Sequence, residues 1–540
     1  MLSTSAGLRR PPRLALSLLT LALAWPATTV QAQSDGAARA AAQRPGANVQ
    51  GNPGGNLSLP SLGDGEGLTV SAERRLGDRI ARSIYQDPDY LDDPMLVDYL
   101  QLLWQPLLAA AKQRGEVPPE LAERLAWELM ISRERSVNAF ALPGGYLGVN
   151  LGLLAVTERP EELASVMAHE LSHVSQRHIA RMMSNEQRLA PWMIGAMILG
   201  ALAAGSNPQA AGAAIAGGSA VAAQQSLKFS RDMEREADRV GFGVLTGAGF
   251  DGQGFVSMFD KLAQASRLND DGAFPYLRSH PLTGERIADM QSRLPSAAAG
   301  VGPRADAPVR PAGLPSASMH ALASARARVL AERNSTRWSN WVQIAAGSAA
   351  KPGELYAGAL SAQRLGQHDR AAELAQRLRT AVAGSDARAM ADALMLELLM
   401  SPGAPANAPL LAELRDAALA SGSRGPLLLG AQAAVASGEA ERAASRLQVW
   451  VVDHPRDAQA WQILARAHQN RGRTLRAVRA EAEARAAHFD WDGALERLKA
   501  AQALPPAQRN ADPIELAIVD SRRRDVEDRL REAMREEDKR

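Results

Sequence analysis

The residues in this chain best arranged for chemistry are His169-Glu170-Leu171-Ser172-His173. Two histidines four apart on a helix project from one face, so both imidazoles can reach a single metal ion. Glu170 can then reach a water beside that ion without ligating it. A hydrolytic zinc site takes three protein ligands and keeps a fourth position for water. The third ligand is sought downstream, in Ser230-Arg231-Asp232-Met233-Glu234-Arg235-Glu236-Ala237-Asp238. Glu234 and Asp238 share a helix face, so one can bind the metal while the other orients a ligand imidazole. Glu236 points away from that face and is the weaker candidate. Alone, this stretch reads as a solvated helix with charge pairs; the histidine motif upstream turns it into a ligand donor. Zinc would lower the pKa of its bound water towards ~7 and polarise a scissile carbonyl. Glu170 would act as the general base and return the proton to the leaving amine.

Such a site needs rigid elements around it. The histidine helix starts near Pro160, a favoured first-turn residue, and runs past His178. Helical patterns precede it, one from Ser71 through Ile84 and one from Pro94 to Ala111. Between them and the motif, Asn138-Ala139-Phe140-Ala141-Leu142 and Tyr146-Leu147-Gly148-Val149 flank a Pro143-Gly144-Gly145 turn. This hairpin is either part of the core sheet alone or an edge that holds a peptide by strand addition, with Asn138, Ala139, Phe140 and Ala141 as the binding strand.

Taken in order, these pieces resemble the zinc metalloprotease family of HtpX and the CAAX prenyl proteases. The matching residues are N-A-F-A-L-P-G-G from Asn138, H-E-L-S-H with His178 five residues further on, S-R-D-M-E-R-E-A-D from Ser230, and Ser279-His280-Pro281 followed by Glu285-Arg286. The resemblance covers roughly 68 to 294. It implies one Zn2+ per subunit held by His169, His173 and Glu234, with Glu170 and Asp238 catalytic. Physically, Asp238 fits better behind a ligand imidazole. The resemblance also brings in His280 and Arg286. Either could donate to the oxyanion, or His280 could occupy the open zinc position as a latch.

Composition limits the other classes. The 540 residues carry 61 basic and 59 acidic side chains and no Cys, which excludes disulfides, cysteine zinc sites and a lipidated N-terminal Cys. Residues 1–32 read as a secretory signal, with Arg9, Arg10 and Arg13 before the apolar Leu14–Trp25 and Val30-Gln31-Ala32 as the cleavage box. That apolar run falls short of the ~20 residues a membrane span needs. Without the signal the net charge is about −1, which leaves no footprint for nucleic acid. An exported, Cys-free chain reads as periplasmic. Residues 33–67, rich in Gly, Ala, Asn and Pro, are a flexible leader. Residues 191–223 form two short apolar arms around Gly205-Ser206-Asn207-Pro208. They read as two buried helices, or as a hairpin touching the membrane surface or the substrate.

Residues 295–318, with Pro295, Pro303, Pro308, Pro311 and Pro315, read as a linker. From 319 to 540 the chain is helical and repetitive. Gly366, Gly438 and Gly472 each turn between helices, with Ala371, Ala443 and Ala477 packing five residues later. Gly438 and Gly472 lie 34 residues apart, which resembles the tetratricopeptide period. The predicted fold is mainly α, of the α+β type: a zincin-type helical protease domain with a small β-sheet at 68–294, then an α-solenoid that folds on its own. This layout resembles exported proteases of outer-membrane protein quality control. The implied partners are unfolded or stalled outer-membrane β-barrel precursors and, through the repeats, the barrel-assembly machinery. A non-proteolytic chaperone or adaptor and a membrane-embedded stress protease are the alternatives. The filled ligand positions argue against the first, and the cleavable signal and short apolar arms against the second.

Overall fold

The computed structural model describes residues 68–185, 230–267, 274–294 and 313–538. The expected signal, leader, 191–223 hairpin and most of the 295–318 linker lie outside these residues.

The framework is the helix Pro94–Gln113. Asp93 caps it by accepting from the Leu96 amide at 2.9 Å, and Pro94 opens its first turn. Tyr99, Leu100, Leu103, Trp104 and Leu107 are fully buried along it, so it runs through the core rather than along its surface. It packs against the histidine helix Pro160–Ser175 and the acidic helix Arg231–Gly247. On another side it meets Ala317–Ala331 and Arg424–Ala436 from the C-terminal half.

Three strands make the one sheet found among the described residues: β1 (Glu128–Ser132), β2 (Ala139–Leu142) and β3 (Tyr146–Asn150), in the order β1-β3-β2. β1 runs parallel to β3, and β2 pairs antiparallel through the Pro143-Gly144-Gly145 turn with Ala141 opposite Leu147. β3 is buried throughout, while β2 lies at the sheet's end against the histidine helix.

The C-terminal half is built of paired helices. Pro352–Arg364 pairs with His368–Ala381, Arg424–Ala436 with Ala440–Asp453, and Ala458–Asn470 with Thr474–Ala487. Gly366, Gly438 and Gly472 turn between them with φ of 72°, 82° and 67°, a region that costs glycine little. Ala371, Ala443 and Ala477 are buried at the helix contacts.

The expectation that residues from about 319 fold alone needs revision. Helix Ala317–Ala331 begins inside the expected linker, capped by Ser316, and one continuous apolar cluster joins Leu100 and Leu107 to Leu322, Leu355, Leu394 and Leu429. Buried polar bonds cross the same boundary. The Arg326 guanidinium holds Asp93 at 2.7 Å and Glu397 at 2.7 Å, Tyr99 Oη meets His320 Nδ1 at 2.5 Å, and Asp98 accepts from the Gly425 amide at 2.7 Å. Proline-rich composition marks an irregular segment. It carries no information on whether the elements at its two ends share a core.

Candidate metal centre

The histidine helix is buried along nearly its whole length, so His169, Glu170 and His173 face a closed interior at 1 %, 0 % and 0 % exposure. The acidic helix crosses it closely because Gly241 has no side chain. A Cβ there would lie 3.1 Å from the Ala168 carbonyl oxygen and 3.2 Å from His169 Cα. Ser230 caps this helix by accepting from the Met233 amide, and Glu234 and Asp238 point from it into the site. The helical turn Tyr276–Ser279 delivers His280, whose amide donates to the Tyr276 carbonyl at 2.9 Å. The Tyr276 ring stacks on the His280 imidazole with centroids 4.6 Å apart.

Donor atoms of His169, His173, Glu234 and His280 all lie within 4.8 Å of one another. His169 Nε2 is 3.0 Å from His173 Nε2 and 3.4 Å from His280 Nδ1. Glu234 oxygens stand 3.5 Å from each of His169 Nε2 and His173 Nε2 and 2.9 Å from His280 Nδ1. A tetrahedral ion with bonds of about 2.0–2.1 Å sets its ligands roughly 3.3 Å apart, so these separations fit zinc. The donor set fits as well: three imidazoles and a carboxylate turn lone pairs towards one point, an arrangement that a cation relieves. Glu170 Oε1 is buried, accepts no hydrogen bond and has His280 Nε2 3.4 Å away. Its Oε2 accepts from the Ala141 amide of β2 at 3.0 Å, which holds the carboxylate in place.

Behind the donors, His169 Nδ1 lies 2.9 Å from Asp238 Oδ1. Arg286 grips both Asp238 oxygens at 2.6 and 2.8 Å, Glu234 at 2.8 Å and the Pro281 carbonyl at 2.8 Å. Its nitrogens are thus committed to these oxygens, which speaks against the oxyanion-donor role. Burial disfavours charge on His169, but Asp238 and Glu234 outweigh it and hold the imidazole's pKa up at about 9. Burial together with the neighbouring His169 pushes His173 well down. For Glu234 burial acts upward, yet His280 and His169 hold the carboxyl far below its usual range. Burial raises Glu170, the direction a proton acceptor near neutrality requires.

The structure therefore brings His169, Glu170, His173, Glu234, Asp238, His280 and Arg286 together. Of the β2 segment, the Ala141 amide reaches Glu170, and the Phe140 ring covers Gly148 instead. Asn138 precedes the strand, with its carbonyl accepting from the Asn150 amide. Sequence reasoning missed the Ala141 amide, the Tyr276 ring and the partners of Glu236, which meets His178 and Arg181. A backbone donor and a ring contact leave no motif to read.

The helical fold and this cluster define a zincin-type metallopeptidase site: HExxH on one helix and a glutamate on another. Residues 107–294 match peptidase family M48. The chain is 35% identical over 239 residues to the putative beta-barrel assembly-enhancing protease of Vibrio cholerae, a stretch covering 44% of this chain and 47% of that one. It is 34% identical over 242 residues to the beta-barrel assembly-enhancing protease of Escherichia coli K12, with the same coverage of both chains. It is also 31% identical over 170 residues to the mitochondrial metalloendopeptidase OMA1 of Arabidopsis thaliana, covering 29% of this chain and 30% of that one. The alignment spans about half the length of the bacterial relatives. Among the described residues no helix is long and apolar enough to cross a membrane.

Proposed function

We propose that this chain is a periplasmic zinc endopeptidase that acts on misfolded or stalled outer-membrane β-barrel precursors, with the C-terminal helical repeats docking the substrate or the assembly machinery. The observation that carries the peptidase reading is the fully buried Glu170 carboxylate, held by the Ala141 amide beside three imidazoles and Glu234. The names of the bacterial relatives support the substrate class. When bound by these residues, zinc supplies Lewis-acid activation of a water and of the scissile carbonyl. Glu170, fixed by the Ala141 amide, takes the proton and hands it to the leaving amine. Asp238 and Arg286 keep the His169 ring and the Glu234 carboxylate aimed.

His280 makes the donor set four, and four protein ligands leave no position for water. We therefore read this arrangement as a resting state, with His280 as the latch. The decisive experiment is Glu170→Gln. Gln is nearly isosteric and cannot accept the proton, so cleavage of casein should fall below a few per cent of the native rate. Zinc content should stay at one per chain, and unfolded barrel precursors should be trapped. Native-like cleavage by this variant would end the peptidase reading.

A further inference from the structure

We infer that His178, backed by Glu236, is the positioning residue that fixes the His173 ring for the metal. The inference rests on the zinc reading above. His178 Nδ1 lies 2.9 Å from His173 Nδ1, and His178 Nε2 lies 3.0 Å from Glu236 Oε2. One tautomer assignment satisfies the whole chain. The His178 Nε2–H donates to Glu236, the His178 Nδ1 lone pair accepts from the His173 Nδ1–H, and the His173 Nε2 lone pair faces Glu234 and His169. Ligand imidazoles commonly give their second nitrogen to a carboxylate or carbonyl. Here His169 has Asp238 directly, whereas His173 reaches its carboxylate through another imidazole. Arg181 holds Glu236 at 2.9 Å much as Arg286 holds Asp238. The acidic helix thus presents Glu234 to the site, Asp238 behind His169 and, through His178, Glu236 behind His173.

The backbone is bent to make this contact. On an unbroken helix, a residue five positions on lies about 140° round the axis and cannot face its predecessor. The histidine helix instead ends at Ser175, Arg177 adopts φ of 51°, and a new helix starts at His178. A non-glycine residue in that region is strained and persists only where its surroundings enforce it. Arg177 is pinned by its side chain to Glu73 at 3.0 Å and to the Leu68 carbonyl. His178 itself is 0 % exposed.

The test is zinc affinity of the purified full chain, measured by competition with a chromophoric chelator, with the helical circular dichroism and the melting temperature of the metal-free protein recorded alongside. His178→Phe should bind zinc about 10–100-fold more weakly. His178→Asn, which keeps an acceptor near the Nδ1 position, should recover most of that loss. Glu236→Gln, at a side chain 30% exposed, should lose affinity less than His178→Phe while staying folded. It decides the matter if His178→Phe does not fold. Native zinc affinity in Glu236→Gln, or a lower melting temperature in His178→Phe with native affinity, would overturn the proposal. A native chain that binds no zinc would overturn the metal reading instead.

Discussion

Replacing Arg326 by Met tests whether the protease core and the repeats are one folding unit. Arg326 is 5 % exposed. Its guanidinium makes three contacts to Asp93 between 2.7 and 3.0 Å, two to Glu397 at 2.7 and 2.9 Å, and one to Tyr356 Oη at 3.0 Å. Methionine fills much of the same volume and leaves the buried Asp93 and the half-buried Glu397 without their cation. Breaking a buried pair in this way costs about 3–5 kcal/mol, mostly because a charge remains uncompensated. With an unfolding entropy of about 2 cal/mol/K per residue, a unit of roughly 450 residues should lose about 3–5 °C in Tm. Adding Asp93→Asn and Glu397→Gln to Arg326→Met should restore a good part of the loss, since neutral amides no longer need the cation. Calorimetry of the zinc-loaded full chain should show one transition that moves as a whole. Two well-separated transitions, only one of them shifted, would refute the shared-core argument. So would a loss below about 1 °C, because the network would then be adding nothing beyond a surface pair.

His320, buried between Tyr99 Oη and the Thr157 carbonyl, has its pKa pushed down by burial to about 4. The unfolded chain therefore takes up a proton below about pH 6.5 that the folded chain refuses until about pH 4. Stability should be flat with respect to this group above pH 6.5 and fall by up to roughly 3 kcal/mol between pH 6.5 and 4. Denaturant titrations of native and His320→Gln protein should differ in slope within that window only, and parallel profiles would sink the reasoning. Gly241→Val places a branched side chain against Ala168 and His169 Cα. It should cost about 1–3 kcal/mol and weaken zinc binding by separating Glu234 from the histidines; unchanged zinc affinity would contradict the close helix crossing. His280→Ala should keep zinc and raise basal cleavage of an unfolded substrate. A kcat lower by about 100-fold would instead make His280 an oxyanion donor, and unchanged activity would rule out both roles.

The local part of the site was legible because helix periodicity is local. His169 and His173 at i,i+4, Glu234 and Asp238 at i,i+4, and the turn glycines at 366, 438 and 472 follow from 3.6 residues per turn and from what φ each residue tolerates. The hairpin around Pro143-Gly144-Gly145 followed from turn chemistry in the same way. Other features depend on which distant segments pack together. His280 enters the donor set 46 residues after Glu234, and Arg286 turns out to clamp two carboxylates rather than stand open. His178 reaches His173 only because the helix breaks at Arg177, which a periodic pattern running past His178 conceals. Glu236, set aside because it faces away from Glu234, gains its partner from that same break. The proline-rich stretch before 319 suggested separate domains, yet apolar residues on both sides of it are buried against one another. Periodicity shows that a face is apolar, whereas the partner for that face is chosen by shape and buried charge across the whole chain.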